Sequence, residues 1–394
     1  MRIGIVTSEG LNTSLGTSAT VLGFATGLSS MGHEVHVLAP GQPSKKMNQN
    51  LSIDGYGGHL AVHTQSLTKR AYASRRFARK TVLRPRMLKA VIRNLERYVT
   101  RWAKQLRLDI IEGHQELAAS ACISVASKLR IQSVSRFHNV WFEECLELGL
   151  LSETDNEFQF LKGLTASVIE HSGSIITPTQ YMKEYFRTNF AISDRSRIVP
   201  VPPGICARQR PTLRSTQEKR TVYSGSLNEL EGLSLYLEAA SLAPKSLEVS
   251  ICGKGSKSTI AQFEHSLGQR LHLHWFERRE DYLEYLSNCQ LGVVPWGWGQ
   301  SRRLGFPMKL LDYVAVGLPV IASKIGSWSD LVETLGFGML SEPNPVDWAE
   351  CFRRIMEDEP LRQSMSIKAW EASNDEFSSD KAIAKVLKVY EELL

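Results

Sequence analysis

Short apolar runs rich in β-branched residues alternate along this chain with stretches whose apolar residues recur at helical spacing. In the first half the strand-like runs are RIGIVT, EVHVLA, LDIIEG, SVSRF and SIITP, and a helix is predicted to begin near Thr17. A second series starts at RTVYSGS and continues through LEVSICG, LHLHWF, LGVVPW and LPVIAS. This alternation predicts parallel sheets built from strand–helix–strand units, which is an α/β fold.

The chain is long enough for two domains, because 394 residues exceed what one hydrophobic core usually organises. The clearest linker signal is Pro-Pro-Gly at 202–204, between the two series of strands. We therefore predict two Rossmann-like, doubly wound parallel-sheet domains that face each other across a cleft. The first would span residues 1–203 and the second residues 204–377, and a helical pattern over about 378–394 is expected to return to the first domain.

Composition narrows the class of protein. Hydrophobic residues make up 42% of the chain, and the six cysteines are scattered without a Cys-x-x-Cys pair, which predicts neither a disulfide framework nor a zinc site. No apolar run approaches the ~20 residues that cross a bilayer. We expect a cytoplasmic protein, and a peripheral position on the inner face of a membrane stays open.

Positive charge is concentrated in residues 69–107. This segment holds fourteen Lys and Arg residues against a single acid, Glu96, so it carries +13 while the whole chain carries +6. Its apolar residues recur at helical spacing, which predicts a long basic amphipathic helix. Two interpretations are open. The helix meets an anionic membrane surface, or its apolar stripe packs on the first sheet and leaves a basic face that is solvated or binds an acidic polysaccharide.

Three glycine-containing turns follow predicted strands, at the sheet edge where ligands bind in open parallel sheets. The first turn places Gly16 and Thr17 at a helix start, and the second places Gly225 and Ser226 after the first strand of the second half. The third turn precedes KLLDYVAVGLPVIAS, and its Pro307 is expected at the first position of a helix. None is a Walker A loop or a G-x-G-x-x-G fingerprint, and each alone is also typical of an ordinary glycine turn.

Seven segments are more distinctive when they are taken together. They are TSLGTSATVLGFATGLSSMGHEVHVLAP, DIIEGHQE, SVSRFHNVW, SIITPTQYMKEYF, RIVPVPPGI, VSICGKGS and, most specifically, LGFPMKLLDYVAVGLPVIAS. Their order resembles the GT-B-fold glycosyltransferases of the retaining family 4 across essentially the whole chain. The resemblance implies a GT-B fold with the acceptor in the first domain and the donor nucleotide in the second.

The resemblance also assigns residues of the second domain to the donor. The family's ribose-holding glutamate corresponds to Asp312, whose shorter carboxylate can still accept two O–H bonds. The family's first glutamate corresponds to Leu304, and its diphosphate-neutralising Arg and Lys correspond to Ser226 and Glu231. Because a departing nucleoside diphosphate develops negative charge, another cation is expected. Lys309 lies three residues before Asp312 on one helical face, where a plain salt bridge between the two is the alternative.

Further donor-binding candidates surround these positions. They are Gly225, Ser226, Lys254, Arg302, Arg303, Gly305, Phe306 and Leu310. Lys254, Arg302 and Arg303 would supply positive charge near the diphosphate. Gly16 and Thr17 form the expected acceptor or phosphate loop.

In the first domain the resemblance points to His138, at the end of the SVSRF strand, as the histidine placed at the transferred sugar. A strand-end histidine bonded to the backbone is the alternative. His114 also ends a strand and ranks lower for chemistry. His59 and His63 are four residues apart without further metal ligands, and the chain contains no Asp-x-Asp motif. A metal-independent reaction without a cofactor is therefore expected.

The implied function is a metal-independent, hexosyltransferase-like glycosyltransferase that acts with retention. Its partners would be a nucleotide-sugar donor and an acceptor that is a sugar, a glycolipid or a polysaccharide precursor, without nucleic acid. If residues 69–107 meet an anionic membrane, the acceptor is lipid-borne. Two alternatives stay open, namely a noncatalytic glycosyltransferase-like partner or scaffold, which Ser226, Glu231 and Leu304 favour, and a sugar-nucleotide epimerase on the same fold.

Overall fold

The computed structural model describes residues 1–11, 16–41, 45–56, 83–192, 197–209, 211, 219–227, 231–254 and 258–394. The chain divides into two compact units. Unit 1 comprises Met1–Pro203, Leu304–Phe306 and Ala382–Leu394, and unit 2 comprises Gly204–Arg303 and Pro307–Lys381. The assignment of an acceptor to the first domain and of a donor to the second stays a prediction.

Unit 1 contains one sheet of eight strands. They are β1 (Arg2–Thr7), β2 (Glu34–Pro40), β3 (Lys45–Asn48), β4 (Leu51–Tyr56), β5 (Ile110–His114), β6 (Gln132–Arg136), β7 (Ser174–Thr177) and β8 (Arg197–Pro200). Their order is β3-β4-β2-β1-β5-β6-β7-β8, and every pairing is parallel except that of β3 with β4. The five predicted strands are confirmed. β3, β4 and β8 were not predicted, because β3 and β4 lack a continuous apolar run and prolines interrupt the run at β8.

The helices of unit 1 that precede the linker are α1 (Gly16–Ser30), α2 (Pro85–Leu106), α3 (Gln115–Leu129), α4 (Trp141–Glu147), α5 (Asn156–His171) and α6 (Gln180–Asn189). The predicted helix start near Thr17 is confirmed. β1 and β5 are buried along almost their whole length, as expected for parallel strands that are covered on both faces.

Unit 2 contains a six-stranded sheet in which all pairings are parallel. The strands are β9 (Lys219–Ser224), β10 (Leu247–Cys252), β11 (Leu271–His274), β12 (Leu291–Val294), β13 (Val320–Ser323) and β14 (Gly338–Ser341), in the order β11-β10-β9-β12-β13-β14. The helices of this half are α7 (Leu233–Leu242), α8 (Ser258–Leu267), α9 (Arg279–Ser287), α10 (Gln300–Leu304), α11 (Met308–Ala315), α12 (Asp330–Thr334), α13 (Pro345–Glu357) and α14 (Glu359–Asn374). The predicted α/β class with two parallel sheets is confirmed, whereas Pro307 precedes the first residue of α11 instead of opening the helix.

The helix α15 (Ser379–Glu391) packs on the core of unit 1. Ile383, Val386 and Val389 are buried among residues of α1 and of the first strands. A Cβ atom on Gly27 of α1 would lie 1.9 Å from Cδ1 of Ile383, so glycine allows this close approach. The predicted return of the chain to the first domain is confirmed.

The predicted basic amphipathic helix is confirmed over α2, while residues 57–82 lie outside the described part of the chain. Its apolar stripe is buried in the core of unit 1, through Leu88, Val91, Leu95, Val99, Trp102 and Ala103. Its opposite face is exposed and carries Arg86, Lys89, Arg93, Arg97, Arg101 and Lys104. The apolar stripe is therefore used in folding, and the charged residues that are exposed on the opposite face are all basic. Within the described residues, no helix is both long and apolar enough to span a membrane.

Candidate functional site

The turn after β9 brings a glycine next to a lysine of α11. Gly225 has a φ of 143°, a conformation that favours glycine, and its N–H donates to the Cys252 carbonyl at 3.0 Å. A Cβ atom at this position would lie 3.0 Å from Nζ of Lys309. The carbonyl of Ser226 accepts a hydrogen bond from the Tyr223 hydroxyl at 2.7 Å. The turn is thus held against β9 and leaves room for the lysine.

Glu231 is the centre of a buried ionic cluster. Its Oε2 accepts hydrogen bonds from Nζ of Lys309 at 2.6 Å and from Nε1 of Trp296 at 3.0 Å, and its Oε1 accepts from Nη1 of Arg302 at 3.4 Å. The Lys309 side chain is 7% exposed and that of Glu231 is 13% exposed. Burial raises the pKa of Glu231, but the charges on Lys309 and Arg302 outweigh burial and lower this pKa to about 2. The cluster therefore contains one more positive charge than negative.

Asp312 is bound by residues of α9 instead of by Lys309. Its Oδ1 lies 2.5 Å from Nη2 of Arg279, and its Oδ2 lies 3.2 Å from the Tyr282 hydroxyl. The same hydroxyl is 2.7 Å from Oγ of Ser224, the last residue of β9. Burial raises the pKa of Asp312, and Arg279 opposes this rise. The salt bridge between Lys309 and Asp312 that the sequence left open is not formed, because each residue has a different partner.

The structure thus groups Gly225, Ser226, Arg302, Lys309 and Asp312 around the carboxyl end of β9 and the start of α11. This is the edge at which open parallel sheets bind ligands. A helix start also provides N–H groups that favour an anion.

The side chains of three other predicted donor residues make contacts outside this group. Nζ of Lys254 is exposed and lies 3.5 Å from the centre of the Trp275 ring. Nε of Arg303 donates to the Ile325 carbonyl at 3.1 Å. Leu310 is fully buried, so its role is packing.

The short segment Leu304–Phe306, which includes the predicted Gly305 and Phe306, belongs to unit 1. Leu304 is fully buried in the core of unit 1, and its carbonyl accepts a hydrogen bond from Oγ1 of Thr179 at 3.0 Å. The residue at the position of the family's first glutamate is therefore a packing residue here.

Some predicted residues are not described. Gly16 and Thr17 begin α1, but their side chains and the loop at 12–15 lie outside the described residues. The same is true of His59 and His63. Across the part of the chain that is described, no three His, Cys, Asp or Glu side chains gather in a way that could hold a metal ion.

In unit 1, His138 contacts a second histidine. β5 ends at His114, and the register of the sheet sets His114 opposite Arg136 on β6, two residues before His138. Nε2 of His138 lies 2.9 Å from Nδ1 of His114. His114 is buried, whereas His138 is partly exposed. The ring of His138 contacts a side chain, that of His114. The alternative, a strand-end histidine bonded to the backbone, is therefore not observed for this ring.

Behind the two histidines lies Glu112, a fully buried carboxylate. Its Oε1 lies 2.7 Å from Nε2 of His114 and accepts a hydrogen bond from Nε of Arg136 at 2.6 Å. Its Oε2 accepts from Nη2 of Arg136 at 3.3 Å and from the Tyr390 hydroxyl at 2.5 Å. Burial raises the pKa of Glu112, but Arg136 and His114 outweigh burial and hold this pKa well below its usual range. Glu112 is thus an anion with three side chains around it.

The junction between β5 and α3 is strained. Gln115 has a φ of 64°, which is unusual for a residue other than glycine. Its Oε1 accepts a hydrogen bond from the His138 backbone N–H at 3.3 Å, and its Nε2 donates to Oδ1 of Asn139. Nδ2 of Asn139 in turn donates to Oε2 of Glu144 at 2.6 Å. These contacts hold the turn that carries His138.

Sequence reasoning identified Asp312 but missed Glu112 and the role of Glu231. It ranked His114 low and did not consider Glu112 or Arg136, which lie on the neighbouring parallel strands β5 and β6. From the sequence, Glu231 was interpreted only as a residue that replaces the family's lysine. In the structure, Glu231 is the anion that pairs with Lys309 and Arg302.

Family models match the chain in two adjoining stretches. The model described as Glycosyltransferase Family 4 matches residues 16–208, and the model described as Glycosyl transferases group 1 matches residues 207–371. A curated relative is the N,N'-diacetylbacillosaminyl-diphospho-undecaprenol alpha-1,3-N-acetylgalactosaminyltransferase of Campylobacter jejuni. It is 26% identical over 162 residues, which are 40% of this chain and 40% of that protein. The alignments with the first three curated relatives span 31%, 40% and 42% of the lengths of those proteins.

Solved structures resemble the chain over its whole length. Sucrose-phosphate synthase of Thermosynechococcus elongatus matches with a TM-score of 0.78 at 15% identity, over 100% of this chain and 99% of that chain. HepE of Anabaena, solved in complex with UDP, matches with a TM-score of 0.69 at 12% identity, over 100% of both chains. At these identities the matches show the fold, and the expected GT-B fold is confirmed.

Proposed function

This chain belongs to glycosyltransferase family 4, and from that premise we propose that it transfers a sugar from a nucleotide-sugar donor to a hydroxyl group of an acceptor. The observation that carries the proposal is the grouping of Asp312, Lys309, Arg302 and the Gly225 turn at the carboxyl end of β9. HepE was solved with UDP, so a UDP-sugar is the donor that we propose to test first.

Each part of this group has a chemical task in the proposed reaction. The Asp312 carboxylate has lone pairs beyond those used by Arg279 and Tyr282, and these can accept the hydroxyl groups of a ribose. The excess positive charge of the cluster around Glu231 would stabilise the negative charge that develops on the departing diphosphate. The incoming hydroxyl would be assisted by that departing phosphate, which is consistent with transfer with retention.

A noncatalytic sugar-binding partner is the second candidate. It is favoured by two observations, namely that Glu231 already compensates the charge of Lys309 and that Leu304 is buried in the core of unit 1. Release of UDP from a UDP-sugar, measured with and without candidate acceptors, separates the candidates. A protein that binds the nucleotide sugar and releases no UDP with any acceptor would support the noncatalytic candidate.

The nucleotide site is tested by replacing Asp312 with alanine. We expect the affinity for UDP to fall at least about tenfold, because the ribose loses a charged acceptor whose hydrogen bonds are worth about 1.5–3 kcal/mol. Isothermal titration measures the affinity. Asp330→Ala is the matched control, because it removes an exposed carboxylate of the same unit. Equal affinities in wild type and Asp312→Ala would remove Asp312 from the site, and no thermal shift of the wild type with any nucleotide would contradict the proposed function.

We further propose that the acceptor is lipid-borne and that the basic face of α2 meets an anionic membrane. The six exposed cations recur about once per helical turn along α2, and each Lys or Arg near an anionic surface contributes about 1 kcal/mol. The Campylobacter relative carries diphospho-undecaprenol in its name, which supports a lipid-linked acceptor for this chain.

Sedimentation with vesicles tests this surface. Wild type should sediment with vesicles that contain anionic lipid, and high salt should release it because screening shortens to roughly 3 Å at 1 M. Reversal of Arg93, Arg97 and Arg101 to glutamate should abolish binding. The matched control reverses three exposed lysines on α15, Lys381, Lys385 and Lys388, with the same change in net charge. Wild type that stays in the supernatant, or that binds an acidic polysaccharide and no vesicles, would contradict the membrane proposal.

A further inference from the structure

A line of three side chains runs from the core of unit 1 to its partly exposed histidine. Glu112 is fully buried, His114 is buried behind His138, and His138 reaches the surface of the unit in part. The two contacts along the line are 2.7 Å from Oε1 of Glu112 to Nε2 of His114 and 2.9 Å from Nδ1 of His114 to Nε2 of His138. The positions of the protons on these rings follow from the contacts.

The first contact places a proton on Nε2 of His114. Nε2 is close to the carboxylate without the alignment of an ideal hydrogen bond. Even so, a nitrogen lone pair and a carboxylate oxygen would repel each other at 2.7 Å, so this nitrogen must carry a hydrogen. Glu112 therefore selects the protonated nitrogen of His114.

The second contact determines which ring nitrogen of His138 carries a proton. Burial lowers the pKa of His114, with Glu112 opposing and Arg136 adding to the decrease. Arg136 already compensates the charge of Glu112, so a charged His114 would add an unbalanced cation in the core. A neutral His114 that is protonated on Nε2 offers a lone pair at Nδ1, and Nε2 of His138 must then be the donor.

We propose that Glu112 and His114 are positioning residues that hold His138 in the tautomer with its proton on Nε2. This leaves Nδ1 of His138 as the acceptor for a hydrogen bond from a hydroxyl group of the transferred sugar. Among the described residues, no side chain or backbone group makes a hydrogen bond with this Nδ1. The role toward the sugar rests on the proposed function, whereas the tautomer rests on the contacts alone.

Two matched variants of His114 separate the two contacts. The side-chain amide of asparagine is attached at Cγ, as Nδ1 is, so His114→Asn keeps an acceptor near His138 and loses the contact with Glu112. The amide of glutamine is one atom further out, so His114→Gln keeps a group near Glu112 and loses the bond to His138. Both substitutions keep a neutral polar side chain.

Nitrogen-15 NMR of histidine-labelled protein at neutral pH reads the tautomer directly. His138 should show a protonated Nε2 and an unprotonated Nδ1 in wild type and in His114→Asn, and a mixture of tautomers in His114→Gln. The wild-type signal is identified by its loss in His138→Gln. A wild-type His138 protonated on Nδ1 would overturn the proposal, and so would an unchanged tautomer in His114→Gln. The wild-type spectrum decides the matter even if a variant fails to fold.

Activity provides an independent readout. With UDP-sugar and acceptor, kcat of His114→Gln should fall about tenfold, the size that one ordinary hydrogen bond supports. Its affinity for UDP should stay unchanged, and His114→Asn should recover most of the rate. Equal rates for His114→Gln and wild type would overturn the positioning role. If the tautomer is as expected and the wild type has no transferase activity, the proposed function fails while the assignment of the protons stands.

Discussion

Replacement of Lys309 by methionine is expected to lower the free energy of unfolding by about 3–5 kcal/mol, the usual effect of removing one partner from a buried ion pair. The substitution keeps most of the aliphatic volume and removes the ammonium group that lies 2.6 Å from Glu231. Urea denaturation at pH 7 measures the loss. Lys385→Met, on the exposed face of α15, is the control.

A second substitution tests the cause. The double variant Lys309→Met with Glu231→Gln should recover part of the lost stability, because it removes a buried carboxylate whose closest cation is gone and whose remaining cation, Arg302, lies at 3.4 Å. If Glu231→Gln adds a further loss to that of Lys309→Met, the ion pair with Arg302 is what holds Glu231, and the assignment of Lys309 as its main ionic partner is wrong.

The same pair predicts a dependence on pH. The pKa of Glu231 in the folded protein, about 2, is below its ordinary value of 4.5. Its stabilising contribution is therefore fully present above pH 4.5 and is lost as the pH falls toward 2. The difference in stability between wild type and Lys309→Met should shrink over that range. A difference that is constant from pH 7 to the acid limit of folding would contradict this assignment.

Replacement of His138 by alanine is expected to lower kcat about 10²–10³-fold, as for removal of a preorganised polar group at a reaction centre. His138 is partly exposed, so its loss should change the free energy of unfolding by no more than about 1 kcal/mol. Steady-state kinetics with the donor that binds, together with urea denaturation, measures both effects.

The control for this experiment is His171→Ala, because His171 is exposed on α5 and bonds only within its own helix, to the Ser167 carbonyl at 2.8 Å. A His138→Ala variant that retains wild-type kcat would remove His138 from the reaction. A large loss of stability together with the loss of rate would instead assign it a structural role.

The strands that could be predicted were those with continuous apolar runs. RIGIVT and LPVIAS are buried on both faces, and their largely apolar composition predicts this burial. β14 was missed because Gly338 and Ser341 leave only two adjacent apolar residues in GMLS. The linker signal at 202–204 lies just beyond β8. The prolines of this segment predicted a linker, so the strand was not recognised.

The site could be predicted only as single residues at strand ends and on one helix, without their partners. The location of Lys309 and Asp312 on one helix was readable, but their partners Glu231 and Arg279 come from other elements, and periodicity does not report long-range pairing. The contact between His114 and His138 has the same origin, since it depends on which strands are neighbours in the sheet.

The hydrogen bond from Tyr390 to Glu112 affects the order in which the two units can fold during synthesis. Unit 1 is discontinuous in sequence, and α15 follows residues 204–378, almost all of which belong to unit 2. At about 5–20 residues per second, a ribosome needs roughly 10–40 s to add the intervening residues. During that time the strands of unit 1 have emerged without the hydroxyl that completes the surroundings of Glu112 and without the helix that covers α1. Unit 2 can therefore fold before unit 1 is complete, and the buried carboxylate acquires its last partner only after both sheets have been synthesised.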